Sequence, residues 1–325
     1  MVCPVRSIIV TGAGPLAERS VALLAQQPAT TVVAVTDPDD LDRRVDVAAA
    51  DTVVDLDGDV DVARRVLTAF DSTVSTVVLV SSAIVYGAWP DNPVPLTEDA
   101  PLRPNPGVPA AAGHAEAERV VGAWAAEHPG VSVTILRPAT IVGPGVDSWL
   151  AEALGGRSLV RPNRADPVGQ FVHVDDVAAA VALAARERLD GVYNVAPNGS
   201  VPGEVVRKLS AWRPSVALPG WLARVAVRWG WALGLSRVPP PVMALVEHPW
   251  VIASDRLQAA GWAPQFTSEE AIVAGRPPSR WREMSPGRRQ SAALAGAGLA
   301  AAAVVAAGAA AVGRARARHR RGSVS

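Results

Sequence analysis

The run Gly12-Ala13-Gly14-Pro15-Leu16-Ala17 follows the apolar residues Ile8-Ile9-Val10 and precedes a stretch rich in Ala and Leu. A strand, a Gly-x-Gly-x-x-Ala turn and a helix in that order can hold a pyrophosphate. Gly12 permits the tight turn, Gly14 lets backbone N–H groups come close, and Ala17 lets helix and strand pack. The helix N-terminus adds partial positive charge, and Pro15 suits a first helical turn, where no N–H is needed. Asp37 ends the next β-branched run, where a carboxylate can accept ribose hydroxyls and repel a 2′-phosphate, so NAD is expected before NADP. Two features pull the other way: Asp37 also suits the opening of the turn Asp37-Pro38-Asp39, and Arg43 and Arg44 follow closely.

Other reactive side chains are few. Of 31 cationic residues 30 are Arg, and Lys208 is the sole Lys. The two tyrosines, Tyr86 and Tyr193, are each followed four residues later by proline, so the chain contains no Tyr-x-x-x-Lys. His114 can titrate near neutral pH and act as an acid, or can be a solvated or capping helix residue. His173 with Asp175 and Asp176 invites a metal or acid–base reading, but a strand-to-helix junction with Asp175 or Asp176 as N-cap is expected instead. His128 and His248, each before a proline, read as loop residues. The single cysteine, Cys3, excludes an internal disulfide and a multi-Cys zinc site, and no metal is expected. Acidic and basic residues balance at 31 each, which gives no reason to expect a nucleic-acid partner. No secretory leader is read at the N-terminus, and a cytoplasmic domain is expected.

These residues need a scaffold. Short β-branched runs alternate with alanine-rich helical stretches, the pattern of βα units around a parallel sheet. Strands are expected at Ser7–Thr11, Thr31–Thr36, Thr52–Leu56, Val77–Ser81 and Ser132–Arg137, with helices at Pro15–Gln26, Asp59–Phe70 and Ala111–Glu127. After residue 137 the texture turns Pro- and Gly-rich, with elements at Phe171–Val174, Asp176–Arg188 and Tyr193–Val195. A helix over Trp221–Leu235 places Trp221, Val225 and Trp229 on one face beside Arg224 and Arg228, suited to an interface or to packing on its own domain.

The stretch Val77-Val78-Leu79-Val80-Ser81-Ser82-Ala83-Ile84-Val85-Tyr86-Gly87 resembles the active-site strand of extended short-chain dehydrogenase/reductases, the NAD-dependent epimerase/dehydratase family. Further matches follow in order: Pro95–Asp99, Ala115–Arg119, Leu136-Arg137-Pro138 with Gly143-Pro144-Gly145, Phe171–Ala178, Gly191–Val195 and Ala260–Pro264. The resemblance implies an α/β fold, a doubly wound Rossmann sheet with a smaller substrate subdomain. It implies domain 1–138 with 168–196 returning to the sheet, and substrate elements over 139–275. Cofactor contacts are implied at Thr11, Gly12, Gly14, Pro15, Leu16, Asp37, Leu56, Ser81, Arg137 and Pro138, and substrate contacts at Val85, Tyr86 and Thr140. The ligand class that the resemblance implies is a nucleotide sugar or similar small molecule.

In such enzymes a Ser or Thr and a Tyr polarise the reacting group, and a Lys four residues after the Tyr lowers the phenol's pKa. Ser82 matches the Ser, whereas the Tyr and Lys positions fall on Ala110 and His114. A general acid/base contributes about 10² to 10⁴ in rate, so a catalytically weak or inactive, ligand-responsive binding or scaffolding protein is expected. The alternative is an active oxidoreductase or epimerase/dehydratase with an unorthodox acid.

The segment Asp37–Thr76 is shorter than the resemblance implies, with room for one strand rather than two. Losing a central strand would orphan buried backbone groups, while losing an edge strand would not, so Thr52–Leu56 is expected beside the first strand. Beyond a linker over 276–290, Ser291–Val312 is uncharged and long enough to span a membrane. Thirteen of its residues are Ala, which makes insertion marginal. Arg residues crowd 313–325. Membrane association of an Ala-rich helix at 291–312, on the cytoplasmic face, is weighed against a solvated helix.

Overall fold

The computed structural model describes residues 6–41, 50–70, 73–154, 160–162, 168–209, 216–234 and 240–276. Arg43 and Arg44, the linker 276–290 beyond its first residue, the alanine-rich stretch 291–312 and the Arg-rich tail lie outside them.

In chain order the elements are β1 (Arg6–Thr11), α1 (Pro15–Ala25), β2 (Thr30–Val35), β3 (Thr52–Asp55), α2 (Val60–Phe70), β4 (Thr76–Val80), α3 (Pro109–Glu127), β5 (Ser132–Pro138) and β6 (Thr140–Val142). There follow α4 (Trp149–Leu154), β7 (Val160–Pro162), β8 (Phe171–His173), α5 (Val174–Glu187), β9 (Gly191–Val195) and α6 (Gly203–Leu209). The last are β10 (Val216–Leu218), α7 (Gly220–Ala232), α8 (Met243–Glu247), α9 (Asp255–Ala259) and α10 (Ser268–Ala274). The expected strand and helix positions agree with these to within a few residues.

Six parallel strands form one sheet in the order β2-β1-β3-β4-β5-β9. The β-branched residues alternate between its faces, as the strand period of two requires. Ile8, Val10, Val54, Val78 and Leu136 pack with Leu24, Val177 and Val181 of α1 and α5. Ile9, Val53, Val77 and Leu79 pack with Val66 and Phe70 of α2 and Ala117 and Val121 of α3. Helices therefore cover both faces, the Rossmann arrangement.

The short central segment behaves as its burial demands. Ile9 of β1 lies opposite Val33 of β2 on one side and Val53 of β3 on the other. All four residues of β3 are buried, and among the described residues no strand lies beyond β2. Among the described residues β2 is thus the sheet edge, where backbone groups can turn to water.

One junction differs from expectation. Helix α5 is capped by His173, whose Nδ1 accepts from the Asp175 N–H at 3.2 Å, rather than by Asp175 or Asp176. The two aspartates are used for tertiary ties. Asp175 pairs with Arg19 of α1, and the Asp176 carboxylate accepts from the N–H groups of Gln265 (2.8 Å) and Phe266 (3.2 Å). Trp262 donates its indole N–H to the Asp176 carbonyl at 3.0 Å. The Gly261-Trp262-Ala263-Pro264 segment is thereby fastened to the helix that packs on β4 and β5.

Candidate active site

Strand β1 delivers the chain into a turn with Gly12 at φ 119° and Gly14 at φ 83°, both in the region that favours glycine. The turn is held by backbone bonds from Gly12 N–H to Val35 carbonyl (3.0 Å) and from Leu56 N–H to Thr11 carbonyl (3.1 Å). A β carbon on Gly12 would stand 3.0 Å from Leu56 Cβ, whereas one on Gly14 would meet nothing within 4 Å. Gly14 thus presents bare backbone to open space. Helix α1 begins there with Pro15 in its first turn and no side-chain cap.

Beside this turn lies a cavity of about 340 Å³. The first turn of α1 supplies Ala13, Pro15 and Leu16; the end of β4 supplies Ser81, Ser82 and Ile84; α3 supplies Ala110 and His114. The chain from β5 into β6 adds Pro138, Ala139, Thr140 and Ile141, and the lead into α4 closes the wall with Val146 to Leu150. Residues expected from distant parts of the sequence, Pro15, Leu16, Ser81, Ser82, His114, Pro138 and Thr140, line one space. The wall from Val146 to Leu150 was not anticipated, because a Gly/Pro-rich loop gives no periodic signal of what it will cover.

One buried polar atom of the lining, Thr140 Oγ1, has no hydrogen-bond partner within the protein, whereas His114 Nδ1 faces the Gly58 backbone. An atom such as Thr140 Oγ1 is costly unless a ligand or solvent answers it. Burial pushes the His114 pKa down, against the opposing pull of Glu118, the Gly58 backbone and Asp59. The imidazole is therefore neutral at physiological pH. Ser82 accepts a 3.4 Å bond from the Ile84 N–H and so caps the short 3₁₀ turn Ala83–Tyr86 that follows β4.

The remaining expected site residues are placed differently. Val85 and Tyr86 are fully buried behind the cavity. The Tyr86 hydroxyl donates to Asn194 Oδ1 at 2.9 Å and accepts from Arg137 at 2.7 Å. Arg137 pairs with Glu118 at 2.6 Å, and Ser81 donates to the same carboxylate at 2.5 Å. Burial drives the Tyr86 pKa up, partly offset by Arg137, so this phenol stays protonated. The network braces β4, β5, α3 and β9 against one another. Asp37 is exposed at the sheet edge, where its Oδ1 accepts from the Asp39 N–H at 2.9 Å.

An acidic feature at the end of β3 was missed, although Asp55-Leu56-Asp57-Gly58-Asp59 is conspicuous in the sequence. Asp55 is buried and accepts from Thr11 Oγ1 at 3.2 Å and from Asp57 N–H at 3.0 Å, leaving Oδ2 without a partner. Burial, with a contribution from Asp57, pushes its pKa up to about 7. Asp57 is also raised, by burial and then by Asp59. Its Oδ1 would lie 3.2 Å from a β carbon on Gly12, so a carboxyl group flanks the glycine turn. The donor set does not suggest a cation site: among the described residues no group of three His, Cys, Asp or Glu could hold a metal ion.

The open Gly14 backbone, the uncapped helix and the orphaned Thr140 hydroxyl are features that would fit a dinucleotide at this turn. Among the described residues no Lys or Arg side chain lines the cavity. Arg19, the nearest cation in α1, is occupied by Asp175 and by the carbonyls of Pro15 (3.1 Å) and Pro144 (3.3 Å).

Residues 43–196 match the model of the NAD dependent epimerase/dehydratase family. Among curated relatives, an uncharacterized protein of Mycobacterium tuberculosis is 30% identical over 207 residues, 62% of this chain and 53% of that protein. A 3-diazoavenalumate denitrifying reductase of a Streptomyces species is 31% identical over 204 residues, 58% of this chain and 62% of its own length. The chain thus spans somewhat more than half the length of these relatives. Among solved structures, dTDP-glucose 4,6-dehydratase of Bacillus anthracis with NAD superposes with a TM-score of 0.61 at 17% identity, covering 87% of this chain and 98% of that one. UDP-glucose 4-epimerase of Thermus thermophilus with NAD gives 0.58 at 21% identity, covering 83% and 97%.

Proposed function

We propose that this chain, which carries a domain of the NAD dependent epimerase/dehydratase family across residues 43–196, is an NAD-binding protein with little or no turnover that reports ligand occupancy to a partner. The observation that carries the reading is the lining of the cavity: Ser82, Ala110 and His114 face the same space as the glycine turn. An alanine at the position of the phenol and a neutral imidazole at the position of the ammonium leave the site without the fixed acid its family uses.

Gly12, Gly14, Pro15 and Leu16 would hold the pyrophosphate, and Asp37 would take the adenosine ribose and disfavour a 2′-phosphate. NAD, when bound, supplies a hydride acceptor. The chain's own residues then orient the ligand: Ser82 and Thr140 offer hydroxyls, and Pro138 and Trp149 exclude water. None of them moves a proton from a substrate hydroxyl at neutral pH. A nucleotide sugar is the ligand class this cavity is proposed to admit beside the cofactor, as in the structural relative described as UDP-glucose 4-epimerase with UDP-glucose. The uncharged stretch 291–312 would hold the domain at the cytoplasmic face of a membrane.

A second reading follows from the Streptomyces relative, whose name is that of a denitrifying reductase acting on a diazo compound. A reductase whose acceptor takes hydride without needing a proton from the enzyme would tolerate Ala110 and His114. Calorimetric titration with NAD, NADP and UDP- and dTDP-sugars, followed by turnover assays with the ligands that bind, tests both readings. Binding of NAD with turnover about 10² to 10⁴ below that of intact relatives is expected. Robust sugar epimerisation or oxidation that survives His114→Ala would remove the case for an inactive protein.

A further inference from the structure

Helix α7, away from the cavity, carries several exposed large apolar side chains. Its inner face is buried through Ala223 and Val227. Its outer face is not covered: Trp221 is 66% exposed, Trp229 64% and Leu233, just past the helix, 65%, with Val225 and Trp231 also open. Soluble proteins rarely leave several tryptophans uncovered on one helix face. For contrast, Trp250 and Trp262 of the same chain are 7% and 4% exposed.

Charge singles out what this face would meet. From Val205 to Val246 the chain contains no Asp or Glu, while Arg207, Lys208, Arg213, Arg224, Arg228 and Arg237 fall in that span. The whole chain is neutral, so this span is strongly biased. Arg224 and Arg228 lie on α7 within one turn of Trp221, Val225 and Trp229. Arg224 reaches Glu247 of α8 at only 3.4 Å with its side chain largely exposed, so its charge is still felt outside. Tryptophans interleaved with arginines, on a helix without acid residues, match the interface of an anionic bilayer, where indoles sit at headgroup depth and guanidinium groups meet phosphates. No described helix is long and apolar enough to cross a membrane, so α7 would lie along the surface.

We propose that the outer face of α7, through Trp221, Val225 and Trp229 flanked by Arg224 and Arg228, docks on an anionic lipid surface. This contact is separate from the cavity and does not depend on stretch 291–312 or on cofactor binding.

The test is vesicle flotation of the full-length chain with phosphatidylcholine alone and with phosphatidylcholine containing phosphatidylglycerol, with brominated lipid included to quench nearby indoles. Binding to the anionic vesicles with quenching of Trp fluorescence is expected. Arg228→Gln should weaken partitioning about fivefold, and Arg224→Gln with Arg228→Gln about thirtyfold, as each juxtamembrane cation contributes on the order of 1 kcal/mol. Trp221→Ser with Trp229→Ser should abolish most of the quenching while leaving Tm unchanged, since both side chains are exposed. Equal binding to neutral and anionic vesicles overturns the proposal, as does unaltered binding of the α7 variants. So does sedimentation showing that the Trp variants dissolve an oligomer without changing vesicle binding, which would assign the face to a second copy of the chain.

Discussion

Gly58 leans on the His114 ring so closely that a β carbon there would stand 2.5 Å from Nδ1. The loop after β3 thereby shields the imidazole from water and keeps it neutral. His114 therefore cannot stand in for a lysine ammonium at neutral pH. Replacing Ala110 with Tyr and His114 with Lys should restore a phenol and a cation to the cavity wall. The expected outcome is a rise in NAD-dependent turnover on a nucleotide sugar that the wild type binds, measured as NADH absorbance. Higher turnover from His114→Lys alone, without the Tyr, would show that the cation and not the acid was the missing part.

Behind the cavity, Arg137 and Glu118 are buried together, and removing either leaves the other uncompensated. Glu118→Gln or Arg137→Met should each destabilise the fold by about 3–5 kcal/mol, a Tm loss on the order of 10 °C. The paired replacement Glu118→Leu with Arg137→Met should recover most of that loss. Equal Tm for wild type and both single variants would show that the pair carries no structural load.

The parallel sheet was legible from β-branched runs alternating with helical stretches, and the position of β3 from the family resemblance together with the penalty for tearing out a central strand, which trimming an edge does not carry. The glycine turn was legible because its conformation demands particular residues. Tertiary partners were not. Nothing local in Tyr86 says that its hydroxyl will be taken by Arg137 and Asn194, residues 51 and 108 positions away. The cap of α5 went to His173 because Asp175 and Asp176 found partners in α1 and in the 265–266 loop, a choice made by packing. The Trp face of α7 was visible as a stripe, but only the fold could decide whether anything covers it.

The two glycines of the turn should separate binding from folding. Gly14→Ala introduces a β carbon into open space, so its penalty is confined to a positive φ, about 1–3 kcal/mol. That methyl would stand where backbone approaches the pyrophosphate, and NAD affinity should fall more than about tenfold. Gly12→Ala drives its β carbon against Leu56 and should lower Tm further than Gly14→Ala does. Calorimetric titration and thermal unfolding of both variants measure the difference; equal NAD affinity in Gly14→Ala and wild type would place the dinucleotide elsewhere.

The acid cluster at the end of β3 should make both stability and cofactor binding depend on pH. The folded state raises Asp55 from 3.8 to about 7, so it holds a proton that the unfolded chain releases. The carboxyl thus leaves stability untouched below its unfolded pKa. It subtracts increasingly as pH rises from about 4, levelling off above about 7, where the loss is on the order of 4 kcal/mol. Asp55→Asn should therefore be more stable than wild type at pH 8 and no more stable at pH 4. His114 works in the opposite sense, its lowered pKa subtracting stability only below its unfolded value near 6.5. Between pH 6.5 and 8 it stays neutral, so the change in that window belongs to the carboxyls. The same ionisation of Asp55 places negative charge on the carboxylate bonded to Thr11, the residue that leads into the glycine turn. NAD, with its anionic pyrophosphate, should then bind on the order of tenfold more weakly at pH 8 than at pH 6, and Asp55→Asn should flatten that dependence. Titrations across this range decide the matter, and an affinity that is constant or rises with pH would show that the Asp55 charge does not reach the bound dinucleotide.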